Sequence, residues 1–143
     1  MKSLLLIVLT LFAQPGAPPA GQQAAAPPAG SSLDYEFFKT RVQPIFLKKR
    51  PGNARCIVCH ETGTPRLQSL SPGATTWDEE QSQKNFAAWQ RVVVPGKPLA
   101  SRLLLHPLAA EAGGDPFHAG GKHWTSQSDP EWQTLAAWVN GAK

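Results

Sequence analysis

The sequence is poor in several residue types, and each shortage excludes a class of protein. Its 143 residues include two cysteines and one methionine, and that methionine is Met1. The longest apolar run, residues 4–12, is too short to cross a bilayer, which takes about 20 apolar residues. Asp and Glu number only 10 and no Ser, His and Asp set lies in a recognisable motif, so acid–base catalysis has little support. The sequence contains no basic stripe interleaved with aromatic residues, so it gives no indication of nucleic-acid binding.

Both cysteines fall in one short motif. Residues 56–60 read Cys-Ile-Val-Cys-His, and Cys-x-x-Cys-His is the attachment signature of c-type haem. In that chemistry the thiols of Cys56 and Cys59 each add to a vinyl group and form a thioether. Two intervening residues let one tight turn present both sulfurs to one edge of the ring, and His60 supplies an axial nitrogen to the iron. The motif predicts one covalent haem c.

Other uses of the cysteine pair stay open at this point. A Cys-x-x-Cys pair can be a redox dithiol or a surface disulfide. It can also be half of a zinc site, because His118 and His123 supply a distant His-x4-His pair. None of these alternatives explains why a histidine directly follows the second cysteine, so the sequence favours haem.

The amino-terminal segment predicts export. Residues 1–13 join a short basic start to the apolar run and are typical of a signal peptide, with a retained anchor as the alternative. Residues 14–32 are rich in Pro, Ala and Gly and predict a flexible tether. Residues 33–143 have a length that suits one domain, and a domain of this size would be only marginally stable without additional support. Because covalent haem attachment occurs outside the cytoplasmic membrane, we expect a periplasmic or extracytoplasmic protein, tethered to the membrane if the anchor is retained.

The folded part is predicted to be all-α, because Pro and Gly loops separate helical stretches and strand-like alternation is absent. Ser32 would cap the first helix, and Pro44 would kink or end it. Thr76 and Glu79 have the spacing of a capping box for a middle helix. The apolar faces are predicted to contain Phe37, Phe38, Val42 and Ile45 in the first helix, and Phe86, Trp89, Gln90 and Val93 in the middle one.

Two more helices are predicted towards the carboxyl terminus. A short apolar helix covers residues 101–105 and stops near Pro107. The last helix begins at Ser128 or Asp129, has Pro130 in its first turn and is closed by Gly141. Its buried face is predicted to contain Trp132, Leu135, Ala136 and Val139.

The residues after the cysteine motif resemble those of small class I cytochromes c. Residues 63–67, Gly-Thr-Pro-Arg-Leu, are similar to the Gly-x-Pro-x-Leu pattern that follows Cys-x-x-Cys-His in that family. The resemblance implies that the Pro65 carbonyl accepts the Nδ1 hydrogen of His60 and that Leu67 packs on the haem ring. Such a hydrogen bond fixes the imidazole plane and raises its basicity. A simple turn proline is the alternative.

Two further segments resemble the small haem-c domains of the planctomycete and acidobacterial group. Residues 41–46, Arg-Val-Gln-Pro-Ile-Phe, are similar to the Val-Gln-Pro-Ile opening of those domains. Residues 94–98 and 101–104 are similar to their Val-x-Pro-Gly-x-Pro-x-x-Ser-x-Leu segment. The resemblance covers most of residues 34–140. It implies a cytochrome c-like bundle of about four to five short helices around one covalent haem.

The sixth iron ligand is not a methionine, because Met1 lies in the signal segment and a His/Met site is excluded for the mature chain. The candidates are His106, His118 and His123, or no protein ligand at all. Residues 118–122, His-Ala-Gly-Gly-Lys, resemble a His-Gly-Gly-Gly-Lys variant of the family, apart from the alanine, and the resemblance favours His118. The adjacent glycines would let this loop approach the haem face closely.

A bis-His iron is six-coordinate and low spin, which suits electron transfer because neither ligand need move. We therefore expect a one-electron carrier whose redox partner proteins are unidentified. A haem subunit of a larger membrane redox complex and a haem sensor or enzyme with an open distal site are the alternatives. The net charge is +4, and the basic cluster at residues 48–50 could steer an acidic partner, although most such runs are solvated faces.

Overall fold

The computed structural model describes residues 32–143. The predicted signal peptide, residues 1–13, and all of the predicted tether except Ser32 lie outside the described residues. Five α-helices build the described part of the chain, which has no β-strand and only two isolated bridges, Arg50 with Asn53 and Leu108 with Trp124. The all-α prediction is therefore confirmed.

Helix α1 covers residues 35–47 in three consecutive pieces, Tyr35–Phe37, Phe38–Val42 and Gln43–Leu47, of which the middle one is π-helical. Its cap is Asp34, whose carboxylate accepts a hydrogen bond of 2.7 Å from the Phe37 N–H. The predicted cap, Ser32, is wrong by two residues. A carboxylate here also compensates the partial positive charge at the helix start.

Pro44 lies inside α1 and does not end it. The Gln43 N–H bonds the Phe38 carbonyl, five residues back, so the turn before Pro44 is wider than a regular α-helical turn. In a regular turn the proline ring would clash with the carbonyl four residues earlier, and the wider turn makes room for it. Pro44 was expected to kink or end the helix, and the structure shows that it does not end it.

The short helix α2 (Cys56–His60) follows α1 along the chain. Helix α3 (Glu79–Trp89) comes next and begins two residues later than the sequence pattern suggested. Asp78 is the cap, and it exchanges hydrogen bonds with Gln81 in a complete capping box of 2.8 and 3.2 Å. The predicted pair, Thr76 and Glu79, is therefore wrong. Both pairs have the same spacing, and the aspartate is the one that forms the box.

The buried face of α3 is more polar than predicted. Ser82, Asn85 and Trp89 are buried, whereas Gln90 is exposed because the chain tightens into a 3₁₀ turn at Gln90–Val92. Asn85 and Ser82 both hydrogen-bond the side chain of Gln43 in α1, at 3.2 and 2.9 Å. These bonds satisfy polar groups that would otherwise cost free energy in the core.

The last two helices match the sequence expectations. Helix α4 (Arg102–Leu105) follows Ser101 and ends before Pro107, and helix α5 (Pro130–Val139) begins after Asp129. The Asp129 carboxylate accepts a 2.8 Å hydrogen bond from the Glu131 N–H. Gly141 then turns the chain with φ of 90°, a conformation that costs glycine little. The predicted buried face of this helix is confirmed, and Trp138 joins it.

The core lies where α1, α3 and α5 meet. The ring centroid of Phe38 is 5.4 Å from that of Phe86 and 5.1 Å from that of Trp138, and Phe46 lies 4.3 Å from Trp89. All five tryptophans are buried. Helix α2 packs against the carboxyl end of α1, which fixes one side of the cysteine motif and leaves its other side to line a cavity.

Candidate cofactor-binding cavity

A cavity of about 370 Å³ lies between the cysteine motif and the loop that carries His118. Pockets for small molecules and cofactors usually measure about 300–1,000 Å³. Of the site residues expected from the sequence, the lining includes Cys56, Cys59, His60, Pro65 and His118. Leu67 is fully buried in the core and does not line the cavity. His60 and His118, which are 58 positions apart in the chain, therefore meet at one site.

Helix α2 is a single turn that presents both cysteines to the cavity. Both thiols are free; Cys56 is half-buried and Cys59 is exposed. Burial raises the pKa of the Cys56 thiol, and the nearby Arg50 guanidinium offsets part of that effect. Both sulfurs are thus available for a covalent bond to a molecule in the cavity.

His60 closes the same turn and is held by the chain that follows it. Its Nδ1 lies 2.7 Å from the Pro65 carbonyl oxygen, and its own carbonyl accepts a 2.7 Å hydrogen bond from the Leu67 N–H. This places the Pro65 carbonyl where the sequence resemblance put it. Burial lowers the pKa of His60, so the imidazole is neutral at pH 7, donates from Nδ1 and keeps the Nε2 lone pair free for a metal.

His118 lies across the cavity and is held in the same way. Its Nδ1 is 2.6 Å from the Gly121 carbonyl oxygen, which again leaves Nε2 free. A Cβ on Gly120 would lie only 3.0 Å from the His118 ring, so a larger residue there would force the ring to shift slightly. The loop is closed at its base by backbone hydrogen bonds, from the His123 N–H to the Pro107 carbonyl (2.8 Å) and from the Ala109 N–H to the Trp124 carbonyl (2.8 Å).

The two imidazoles are spaced to share one metal ion. The ring centroids of His60 and His118 are 6.4 Å apart, and the ring planes differ by 19°. Two metal–nitrogen bonds of about 2.0 Å, together with the radii of two five-membered rings, span about 6 Å. The donor set therefore fits a metal held between two histidines, with two thiols at the edge of the same cavity.

His106 is excluded as the partner of His60 by its own hydrogen bonds. Its Nδ1 is paired with the Asp115 carboxylate, and its Nε2 accepts a 2.8 Å hydrogen bond from Arg102 Nε. Neither ring nitrogen has a lone pair left for a metal. Sequence reasoning missed Asp115 entirely, because nothing in a loop of Gly, Asp and Pro marks this aspartate as the partner of a histidine nine residues earlier.

His123 also lines the cavity, but its ring is differently placed. Its centroid is 5.8 Å from that of His118, and its Nδ1 is buried without a hydrogen-bond partner. Burial, reinforced by the positive charge of Arg50, lowers the pKa of His123 to about 4. This imidazole is neutral at physiological pH.

The alternative zinc site is not assembled. Among residues 32–143, no group of three or more His, Cys, Asp or Glu side chains is arranged to hold a metal ion directly. The set proposed for zinc, Cys56, Cys59, His118 and His123, instead surrounds an open cavity.

The side chains of the basic cluster at residues 48–50 form ion pairs and a hydrogen bond with other residues of this chain. Lys48 and Arg50 both form ion pairs with Glu131, and Lys49 donates to the Asn53 carbonyl at 3.1 Å. Two arginines outside this cluster, Arg55 and Arg102, line the cavity, and both are exposed. The cluster therefore serves mainly to hold α5 against the end of α1.

No family model, curated protein or solved structure matches this chain. Within residues 32–143, no helix has the length and apolar character needed to span a membrane.

Proposed function

We propose that this protein is an exported mono-haem c-type cytochrome that carries one electron at a time. The observation that supports it most strongly is the meeting of Cys56, Cys59 and His60 with His118 around one cavity. Cys56 and Cys59 would form the thioethers, and His60 and His118 would be the axial ligands of the iron. Bound there, the haem would supply a one-electron couple between ferric and ferrous iron.

The attachment step needs only what the two cysteines supply. Each S–H would add across the C=C bond of a vinyl group, forming one C–S and one C–H bond, and no oxidant is consumed. The one-turn helix α2 holds both sulfurs on the same side of the cavity. Gly63 is needed beside it, because a Cβ there would lie 2.8 Å from the Cys59 carbonyl oxygen.

The hydrogen bonds of the two histidines favour electron transfer over catalysis. Pro65 and Gly121 each hold one Nδ1 through a backbone carbonyl, so both imidazoles keep their orientation in either oxidation state. With His60 and His118 both held in this way, a haem bound between them would have no position open to a substrate and could change oxidation state with little rearrangement of these side chains.

The proposed location of the protein rests on the amino-terminal segment and on the attachment motif. We propose a periplasmic or extracytoplasmic site, because the signal-like residues 1–13 and the haem attachment motif call for the same compartment. The electron donor and acceptor would be redox proteins. Membership of a larger membrane complex is the second possibility, favoured if residues 14–32 act as a tether to a retained anchor.

The experiment that tests this function is spectroscopic. The holo protein, produced with a haem-attachment system, should be low spin, should be reduced reversibly by one electron and should not bind carbon monoxide when reduced. Rapid carbon monoxide binding by the unmodified protein would contradict the carrier function and favour a sensor or enzyme with an open distal position.

A further inference from the structure

The loop at residues 115–122 carries His118 and packs little against the rest of the protein. Phe117 and Ala119 are exposed, and Phe117 keeps 81% of its surface in contact with solvent. The hydrogen bonds at the centre of the loop stay within it, such as the 3.1 Å bond from the Gly121 N–H to the His118 carbonyl. Segments with few buried contacts open easily, so the position of this loop depends on what holds its two ends.

The side chain of Lys122 joins those two ends. Its ammonium donates a 2.8 Å hydrogen bond to the His106 carbonyl, directly after helix α4, and another to the Asp115 carbonyl at the start of the loop. Among residues 32–143, no backbone N–H bonds either of these carbonyls. We call the two contacts of the Lys122 ammonium the lysine bridge.

The surroundings of the lysine bridge make it strong. Lys122 is half-buried, so water competes less for its hydrogen bonds than it would at an exposed lysine. Hydrogen bonds from a charged donor are roughly twice as strong as those between neutral groups. The His106 carbonyl is also one of those at a helix end that have no partner within the helix, so the ammonium satisfies an acceptor that needs a donor.

The lysine bridge reaches His118 through a single peptide unit. His118 Nδ1 is 2.6 Å from the Gly121 carbonyl oxygen, and that carbonyl shares a planar peptide unit with the N–H of Lys122. Holding Lys122 in place therefore holds the acceptor that orients the imidazole. A hydrogen bond of this kind sets the ring plane of a histidine that binds a metal.

We propose that Lys122 is a positioning residue for the distal ligand: the lysine bridge keeps the loop closed, so that His118 stays bound to the iron. This inference rests on the proposed function, and it adds the residue that controls how long the distal ligand remains in place. Without the bridge, the loop would move away more often and leave the position next to the iron open. An open position is what distinguishes a haem sensor or enzyme from an electron carrier.

The test is the rate at which cyanide displaces His118 in the ferric holo protein. Cyanide binds after His118 leaves the iron, so at saturating cyanide the rate constant of the absorbance change reports the release of His118. Lys122→Met keeps the aliphatic stem and removes the ammonium. We expect it to raise this limiting rate constant at least about tenfold, the effect of losing about one hydrogen bond from a charged group. Lys122→Arg keeps the charge and the donors and should restore most of the slow release.

Two control variants separate positioning from a general loss of stability. Lys84→Met makes the same substitution in an exposed ion pair with Glu80 on α3, and it should leave the rate constant unchanged. Asp78→Ala removes the cap of α3 and so destabilises the fold. It should also leave the rate constant unchanged, because the Asp78 side chain bonds Gln81 within α3.

The possible results are distinguishable. An unchanged rate constant in Lys122→Met would refute the positioning role and leave the cytochrome function standing. An equal rise in Asp78→Ala would also refute it, because general loosening of the fold would then release His118. If Lys122→Met does not fold, Lys122→Gln, which removes the charge and shortens the side chain, carries the same expectation. An unmodified chain that takes up no haem would refute the proposed function together with the positioning role.

Discussion

The three histidines beyond the cysteine motif differ in the groups that hydrogen-bond to their ring nitrogens. A backbone carbonyl holds His118, a carboxylate and a guanidinium hold His106, and nothing holds the buried Nδ1 of His123. All three line the same cavity, so proximity does not distinguish them. The free Nε2 and the 6.4 Å separation from His60 are the reasons for proposing His118 as the metal partner.

His118→Ala should therefore open one coordination position of the iron. We expect the holo variant to become high spin or to take up water, and to bind carbon monoxide when reduced, because it loses the imidazole whose ring lies 6.4 Å from that of His60, and both ring nitrogens of His106 are already hydrogen-bonded. Optical spectra of the reduced protein with and without carbon monoxide measure this directly.

His106→Ala is the comparison for that experiment. It removes an imidazole from the same cavity, but one whose ring nitrogens are both engaged by Asp115 and Arg102. We expect its spectrum to remain low spin and insensitive to carbon monoxide. The assignment of His118 would be wrong if His106→Ala opened the iron and His118→Ala did not.

At the scale of helices, the sequence was a better guide to which helices form than to the residues at which they begin. Helices α4 and α5 have strong start and stop signals, such as Pro130 in the first turn of α5, and both helices match the expectation. For α3 two capping pairs of equal spacing compete, and the structure uses Asp78 with Gln81. The polar face of Ser82 and Asn85 could not be predicted, because its partner Gln43 is 39 and 42 residues away.

The cap of α3 can be tested by substitution. Asp78→Ala should lower the free energy of unfolding by about 1 kcal/mol, the usual cost of losing an N-cap side chain. Thr76→Ala removes the cap expected from the sequence and should change the stability little. Urea unfolding of the two holo variants compares them, and a larger loss for Thr76→Ala would contradict the structure.

Glu131 connects two elements, since it begins α5 and pairs with Lys48 and Arg50 just beyond α1. Burial by itself would raise the pKa of Glu131, but the hydrogen bonds from Lys48 and Arg50 outweigh it and lower the pKa below its usual value of 4.5. Such a carboxylate contributes stability above its unfolded-state pKa and loses it as the pH falls through the folded-state pKa.

Glu131→Gln should accordingly lower the free energy of unfolding by about 2 kcal/mol at pH 7, because the buried Arg50 loses its charged partner. The difference from the unmodified protein should shrink as the pH falls below 4.5 and through the lowered pKa of folded Glu131, because protonation then removes the same charge that the substitution removes. Glu80→Gln, which breaks an exposed pair with Lys84, is the control and should show little loss. A pH-independent difference for Glu131→Gln would refute this account.

At the scale of the whole molecule, the site forms because distant segments meet around one cavity. The motif at residues 56–60, the Pro65 carbonyl and the preference for His118 were all predicted from short patterns, and the structure brings these residues together. The contacts of Asp115 and Arg50 were not predicted, because they depend on tertiary neighbours. Leu67 lies in the core, so its expected contact with the haem ring stays a prediction.

Covalent attachment of one haem is the central claim, and an intact mass with a reduced alkaline pyridine spectrum tests it most directly. The protein should be produced with a haem-attachment system and compared with a Cys56→Ala, Cys59→Ala variant. We predict a mass gain of one haem and a haem c spectrum for the unmodified cysteines, and neither for the variant. An unmodified mass with two free thiols, or with bound zinc, would contradict the account.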